Sequence, residues 1–339
     1  QRGRAGDYFT SMQVGSLFPA IFADVVRSLR ESLGCEQFSL VELGAGGGEF
    51  LEGVLAALGP DGRKGLRVWA VERARPAREA IWRRLSRFPK CEAVSSLDDI
   101  DWMGGLEGLV FSNEFFDALP FHRLIRRDGA WREIYAGLEK GELCDVEAAL
   151  SDERLPARCG LDGLNVPDGT EVEARPAVPA VYEDIAARLS RGYIISVDYG
   201  SPRAALERAP RTRGTWRCFH EHRLSDGAYA HIGGQDMTAD VDFTQLAEAG
   251  AAEGFDPKLF CSQGIFLSHA GRAVIEKGLA SPEKDNVARQ VRQLLHPDAM
   301  GERFWCLLQA RSTDLPASFS EIPNRTARLL PADPKLKNA

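Results

Sequence analysis

The 339-residue chain predicts an α/β core, a mostly parallel sheet with helices on both faces, plus inserted lid or cap segments. Three observations predict it. Short apolar runs alternate with segments of helical periodicity, and that alternation gives a parallel sheet covered on both sides. One of the runs leads straight into a glycine cluster, "VELGAGGGEF" (41–50), as a strand leads through a tight turn into a helix. The length exceeds one ordinary domain and falls short of two large ones, which fits one core with insertions.

The elements follow in order. "PAIFADVVRSLRESL" (19–33) spaces its apolar residues at helical intervals, and Gly34 is a stop signal. "FSLVEL" (38–43) is a buried strand, followed after the glycines by the helical "EFLEGVLAAL". "LRVWAVE" (66–72) is a second strand and "ARPAREAIWRRLSRF" its helix; "LEGLVFSNE" (106–114) is a third strand. Residues 121–150 alternate around turns at Asp128-Gly129 and Lys140-Gly141, an antiparallel excursion. "AVPAVYEDIAARL" is a helix and "GYIISVDYG" (192–200) a fourth buried strand. Residues 201–241 show little periodicity and many polar and aromatic residues, as a functional lid would. "DFTQLAEAGAAEGF" is a helix, "KLFCSQ" a strand, 282–296 a helix and "RFWCLLQAR" (303–311) a closing strand. The expected organisation is therefore 1–120, N-terminal helices and the glycine-turn half of the core; 121–170, an antiparallel insertion; 171–200, a core helix and strand; 201–241, a lid insertion; 242–312, the rest of the core; and 313–339, a peripheral tail.

Composition excludes several classes. With 44% hydrophobic and 27% charged residues the chain is globular, and a net charge of −7 gives no overall footprint for nucleic acid. No run approaches the ~18 apolar residues of a membrane span. Seven scattered cysteines, odd in number and never in a CxxC pair, point to reduced thiols rather than a disulfide or metal scaffold. The first residue is not methionine, so targeting is not readable from this end.

The glycine turn selects the ligand. A dinucleotide fingerprint would place Gly or Ala at position 49, where this chain has Glu, and no Lys-Ser/Thr pair follows for a phosphate loop. A zwitterionic nucleoside suits it better. Gly44, Gly46 and Gly48, with Ala45 between, let the backbone approach S-adenosylmethionine closely, because no Cβ intervenes. Glu42 favours the ammonium and sulfonium charges. Glu72, ending the second strand, accepts from the ribose hydroxyls. The blander alternative is a tight turn with Glu72 merely starting a helix.

With these residues in view, "VELGAGGGEF", "FSNEFFDALP", "VDYG", "GTWRCFHEHR" and "GGQDMTADVDF" resemble, in order, the motifs of the MidA-like methyltransferases, a group that includes the mitochondrial complex I assembly arginine methyltransferase. "GDYFTSMQVGSLF" and "HPDAMGERF" look like its flanking motifs, so the resemblance spans roughly residues 6 to 310. It implies a class I, Rossmann-like, seven-stranded fold, S-adenosyl-L-methionine as cofactor, S-adenosyl-L-homocysteine as product, and an arginine acceptor. Two departures stand out: Met12-Gln13 replaces a usual Pro-Glu pair, and Ala45 replaces the usual proline of the turn.

Methyl transfer from a sulfonium is an in-line displacement, so alignment and electrostatics carry it. A guanidinium acceptor needs a carboxylate, which nominates Asn113, Glu114 and Asp117 where the third strand ends. Asn113 also counts as a cofactor contact. Asp117 reads alternatively as a helix cap, with Phe115 and Phe116 as core. Asp198 and Tyr199 are candidates for the pocket wall. In the lid, His220 or His222 is a candidate proton acceptor and Gln235 and Asp236 candidate acceptor contacts. Arg217 and Arg223 read as ties to lid carboxylates, and no metal is expected. The leading reading is nitrogen methylation of a protein arginine; the others are a small-metabolite O- or N-methyltransferase and a non-catalytic assembly factor that keeps the pocket. The expected partners are a protein or small-molecule acceptor, with no nucleic acid and no membrane. The oligomeric state is open, a homodimer being one option. The expected compartment is the cytoplasm for a bacterial chain or the mitochondrial matrix for a eukaryotic one.

Overall fold

The computed structural model describes residues 14–100, 105–221, 223–225 and 227–329. In chain order its elements are α1 (Leu17–Leu33), β1 (Phe38–Leu43), α2 (Glu49–Gly62), β2 (Leu66–Val71), α3 (Arg75–Leu85), β3 (Cys91–Val94), β4 (Leu106–Asn113), β5 (His122–Arg127), β6 (Ala130–Glu139), β7 (Glu142–Ala148), α4 (Leu155–Arg158), β8 (Glu171–Ala174) and α5 (Ala177–Ala186). There follow β9 (Leu189–Ser201), α6 (Ala204–Arg208), β10 (Arg217–His220), β11 (Arg223–Leu224), β12 (Asp236–Thr238), β13 (Val241–Asp242), α7 (Phe243–Ala252), β14 (Asp256–Ser262), α8 (Gln263–Ala270), α9 (Arg272–Leu279), α10 (Lys284–Leu295) and β15 (Phe304–Arg311). Contacts divide the described residues into two compact units: those within 116–180 and 200–246, and those within 14–115, 181–199 and 247–329.

The larger unit holds a sheet in the order β14-β15-β9-β4-β1-β2-β3. Its pairs are parallel except those made by β15, which runs antiparallel to both β14 and β9. This is the mostly parallel sheet that the alternation of strands and helices predicts, with seven strands in this order as the resemblance implies, and β13 pairs in addition with the last residues of β9. The reason lies in burial. All six residues of β1 are buried, as a central strand covered on both faces requires. Helix α1 buries Phe18, Ile21, Phe22, Val25 and Leu29, a helical stripe, and stops at Gly34 in the left-handed conformation. Phe22 and Phe50 pack on Phe111 of β4 with ring centroids 4.7 and 4.2 Å away, which ties α1 and α2 to the middle of the sheet. Gly108 of β4 is required by close approach: a Cβ there would lie 2.0 Å from the Ser39 carbonyl oxygen on β1.

The smaller unit contains a four-stranded antiparallel sheet, β7-β6-β5-β8, and a three-stranded one, β11-β10-β12. The turns at Asp128-Gly129 and Lys140-Gly141 connect β5 to β6 and β6 to β7, all four residues having positive φ. Leu124, Leu155, Cys159, Leu161 and Val172 form its apolar core. Several described elements have no counterpart in the periodicity reading, the short α4 and β13 among them. Strands β3 and β8 have four residues each, too few for a pattern, and α8 and α9 fill 263–279, where apolar and polar residues mix. Residues 201–241 also carry more order than a bare loop, in α6 and the three short strands.

Candidate active site

The turn between β1 and α2 is built from three left-handed glycines, Gly44, Gly46 and Gly48, with φ of 67°, 51° and 82°. The Gly44 and Ala45 amides donate to the Val71 carbonyl at 2.9 and 3.1 Å, fastening the turn to the end of β2. At Gly46 a Cβ would meet nothing within 4 Å, so there the bare backbone faces open space. Gly44 differs, since a Cβ would lie 2.9 Å from the Phe115 ring. Gly48 begins α2, whose first turn carries Glu49 and Glu52. Arg84 holds that junction: its Nε donates to the Gly47 carbonyl (2.9 Å), and its other nitrogens pair with Glu49 (2.6 Å) and Glu52 (2.7 Å). Acid in the first helical turn suits a helix N-terminus and repels a pyrophosphate there.

Two more carboxylates stand beside the turn. Glu72 accepts from the Gly46 amide through Oε2 (3.0 Å) and from the Ala74 amide through Oε1 (2.8 Å). Each oxygen retains a lone pair, so the group clamps the turn and can still accept from hydroxyls. Glu42 is buried, and its Oε2 has no hydrogen-bond partner among the described residues. Burial first, then the charges of Glu49 and Glu72, push its carboxyl well above the usual carboxylate range. A buried, unsatisfied acid surrounded by acids is a poor structural choice and a good receiver for a cation. These features fit a ligand with a positively charged amino-acid end, bare backbone approach and a diol. The residues therefore suit S-adenosylmethionine.

At the end of β4, Asn113 Nδ2 donates to Glu114 Oε1 (3.0 Å), and Asn113 Oδ1 has no partner among the described residues. Glu114 has φ of 52°, a conformation rare for a residue with a side chain, and its amide donates to the Val197 carbonyl (3.0 Å). So Glu42, Gly44, Ala45, Gly46, Gly48, Glu72, Asn113 and Glu114 all belong to the seven-stranded unit, at or just beyond the carboxyl ends of β1, β2 and β4. That is where ligands of such sheets bind.

Asp117, His220 and Asp236 belong to the other unit. Asp117 is buried and caps no helix; a turn follows it, and its carbonyl accepts from the Ala239 amide and from Arg175. Phe116 is core, as its apolar character suggests. The His220 ring stacks on His231 with centroids 4.0 Å apart, and its Nδ1 lies 2.6 Å from the Gly234 carbonyl. A carbonyl can only accept, so Nδ1 carries the hydrogen and a neutral His220 offers Nε2 as a base. Asp236 is exposed on β12, opposite Phe219. Arg217 pairs with Asp240, as a tie between lid residues would. His222 and Met12-Gln13 lie outside the described residues. No cluster of three or more His, Cys, Asp or Glu that could hold a metal occurs among the described residues.

Periodicity misses three organising residues. Arg84 is one. Arg175 is buried and donates to the Asp117, Ala239 and Asp240 carbonyls, joining segments far apart in sequence. Glu173 accepts from the Thr215 and Trp216 amides at 2.6 and 2.9 Å, and burial raises its pKa. The only local signal was charge inside "TEVEARP", an acid and an arginine where a strand should be apolar.

The fold and the turn define a class. The chain belongs to the family described as "putative S-adenosyl-L-methionine-dependent methyltransferase", whose model matches residues 21–261. It is an S-adenosylmethionine-dependent methyltransferase. Among its relatives is the Drosophila melanogaster protein arginine methyltransferase NDUFAF7 homolog, mitochondrial, 27% identical over 335 residues, which cover 89% of this chain and 74% of the relative. The Homo sapiens protein arginine methyltransferase NDUFAF7, mitochondrial, is 29% identical over 202 residues, covering 57% of this chain and 43% of that one. A Burkholderia thailandensis crystal structure with S-adenosyl-homocysteine bound superposes with a TM-score of 0.82 at 26% identity, over 94% of this chain and 83% of the other.

Proposed function

We propose that this protein methylates a nitrogen of a protein arginine. The observation that carries the reading is Glu114: a carboxylate held in a left-handed conformation at the end of β4, steadied by Asn113, in the same sheet as the glycine turn. Strain of this kind persists where function repays it. The relatives named protein arginine methyltransferases support the choice of acceptor.

When bound, S-adenosylmethionine supplies an electrophilic methyl on a sulfonium. Backbone from Gly44 to Gly48 would cradle it, with Glu72 accepting from the ribose and Glu42 facing the positive charge. Glu114 would hold the guanidinium by a charge-assisted pair, turning one nitrogen lone pair toward the methyl and taking up the proton released. Asn113 Nδ2 would keep that carboxylate from rotating. Within the smaller unit, Asp117, Asp236 and the Nε2 of His220 are proposed, each by itself, as residues that recognise the acceptor. The proposed compartment is the mitochondrial matrix for a eukaryotic chain and the cytoplasm for a bacterial one.

The experiment uses cofactor labelled in the methyl group, with lysate as acceptor, followed by amino-acid analysis of the protein fraction. Label should appear in methylarginine and vanish with Glu114→Gln, while that variant still binds S-adenosylmethionine by titration calorimetry. Label confined to small molecules would falsify the protein acceptor.

A further inference from the structure

A second surface of the larger unit has a chemistry that methyl transfer does not use. Residues 63–90 contain eight arginines and two lysines against two acids, Glu72 and Glu79, a local charge of +8. The whole chain carries −7, so the remainder carries −15. Such asymmetry marks a surface built for a charged partner. Some of these cations are engaged within the fold: Arg84 and Arg87 pair with acids on α2, Lys64 pairs with Asp61 of the same helix, and Arg75 pairs with Glu79. Others are not. Among the described residues Arg67, Arg73, Arg83 and Lys90 are exposed and make no ion pair.

The helix carrying most of this charge, α3, buries Ile81 and Leu85 and turns Trp82 outward. Trp82 is 70% exposed, the one large hydrophobic side chain displayed in this stretch. Beyond the end of α3 the Arg63 and Arg87 guanidiniums lie over the Phe88 ring, 5.1 and 4.9 Å from its centroid. A shallow recess of about 310 Å³ opens there, lined by Arg63, Lys64 and Lys90 together with prolines 60 and 89, and by no acid. Tryptophan and arginine are the residue types that interface hot spots favour, because both side chains offer large contact area and directed bonds.

We propose that the outer face of α3, with the recess beside Lys90, docks an acidic segment of a partner protein. Charge complementarity selects the occupant. Arginine outnumbers lysine eight to two, and its planar fork pairs with carboxylates through two parallel hydrogen bonds. A long polyanion such as RNA would overrun the patch onto a surface of net −15, whereas a short acidic segment stays within it. A membrane surface would be gripped by several apolar side chains, and here Trp82 stands alone.

The test measures anisotropy of a fluorescein-labelled glutamate-rich peptide against the full chain, beside a lysine-rich control peptide. The wild type should bind the acidic peptide, with affinity falling as salt rises. Trp82→Ala, Arg83→Glu and Lys90→Glu should each weaken it by roughly tenfold, the scale of a hot-spot residue. Trp82→Phe should retain most of it. These side chains are exposed and outside the methyl-transfer site, so melting temperature and S-adenosylmethionine affinity should match wild type. Equal binding by all variants, or no preference over the lysine-rich peptide, overturns the proposal. So does tighter binding of single-stranded RNA or phosphatidylserine vesicles through the same residues.

Discussion

At the scale of single residues, Glu42 and Gly46 make the sharpest demands. Glu42 is an acid whose carboxyl is raised by burial and by two neighbouring acids. In the folded chain its proton is held more tightly than in the unfolded one. Its favourable contribution is therefore complete below the ordinary glutamate range, ~4.3, and is lost as pH rises through the raised value. Glu42→Gln should thus gain stability over wild type at neutral and higher pH, and little at pH near 4, in urea melts taken across that range. A cationic ligand reverses the preference by favouring the ionised form. Affinity for S-adenosylmethionine should rise with pH through the raised value in wild type and stay flat in Glu42→Gln. S-adenosylhomocysteine, lacking the sulfonium charge, should show a weaker pH dependence in calorimetry. Gly46→Ala separates backbone cost from ligand space. Its φ of 51° costs an alanine about 1 kcal/mol, and nothing lies within 4 Å of the new methyl. The variant should fold and lose cofactor affinity; undiminished affinity would remove the turn from the site. Glu72→Ala removes both the clamp on the Gly46 and Ala74 amides and the acceptor for the ribose, and should weaken cofactor binding by ~1–3 kcal/mol.

Secondary-structure elements owe their positions to close backbone approach as much as to apolar pattern. Gly108 shows it: β1 and β4 are neighbours, and a Cβ at 108 would lie within 2.0 Å of the Ser39 carbonyl and 2.7 Å of its amide nitrogen. Gly108→Ala should destabilise the protein by about 3 kcal/mol, at the upper end for overpacking, read as a lower denaturation midpoint. A melt unchanged from wild type would mean that β1 and β4 are not paired as described. Where an element is long and its pattern strong, its extent was readable in advance. Strand β1 occupies 38–43, the span of "FSLVEL", because six apolar-lined residues between Glu36-Gln37 and the glycines leave no other register. Helix α2 loses regular geometry at Gly59, φ 68° and ψ 177°, followed by Pro60, where the pattern "EFLEGVLAAL" already ends. Short elements were opaque. Strand β3 has four residues of mixed burial, and only its pairing with β2 makes it a strand. Asp117 suggested a cap by its residue type, but the chain passes through a turn into β5, so no helix exists for it to cap.

The whole molecule stores its seven cysteines as free thiols, four of them buried (Cys159, Cys218, Cys261 and Cys306) and three half-buried. Burial raises Cys159 to about 11 and Cys261 to about 12, so neither is a thiolate at neutral pH. A thiol reagent should label at most three cysteines rapidly in the native protein and all seven in denaturant. Fewer than seven after unfolding would reveal a disulfide. Among the described residues no helix is long and apolar enough to cross a membrane. At this scale the sequence by itself determined the alternation of strands and helices, the bare turn after β1, and the identity of the acids flanking it, since these are local: periodicity, missing side chains and residue type act over a few positions. Only the tertiary structure decided which carboxylate is buried without a partner, that Glu114 is bent into a left-handed conformation, that Arg84 and Arg175 tie together segments far apart in the chain, and that Trp82 is left exposed on a helix rich in arginine. Those are properties of neighbours brought together by folding, and desolvation, strain and charge density exist only once the neighbours are in place.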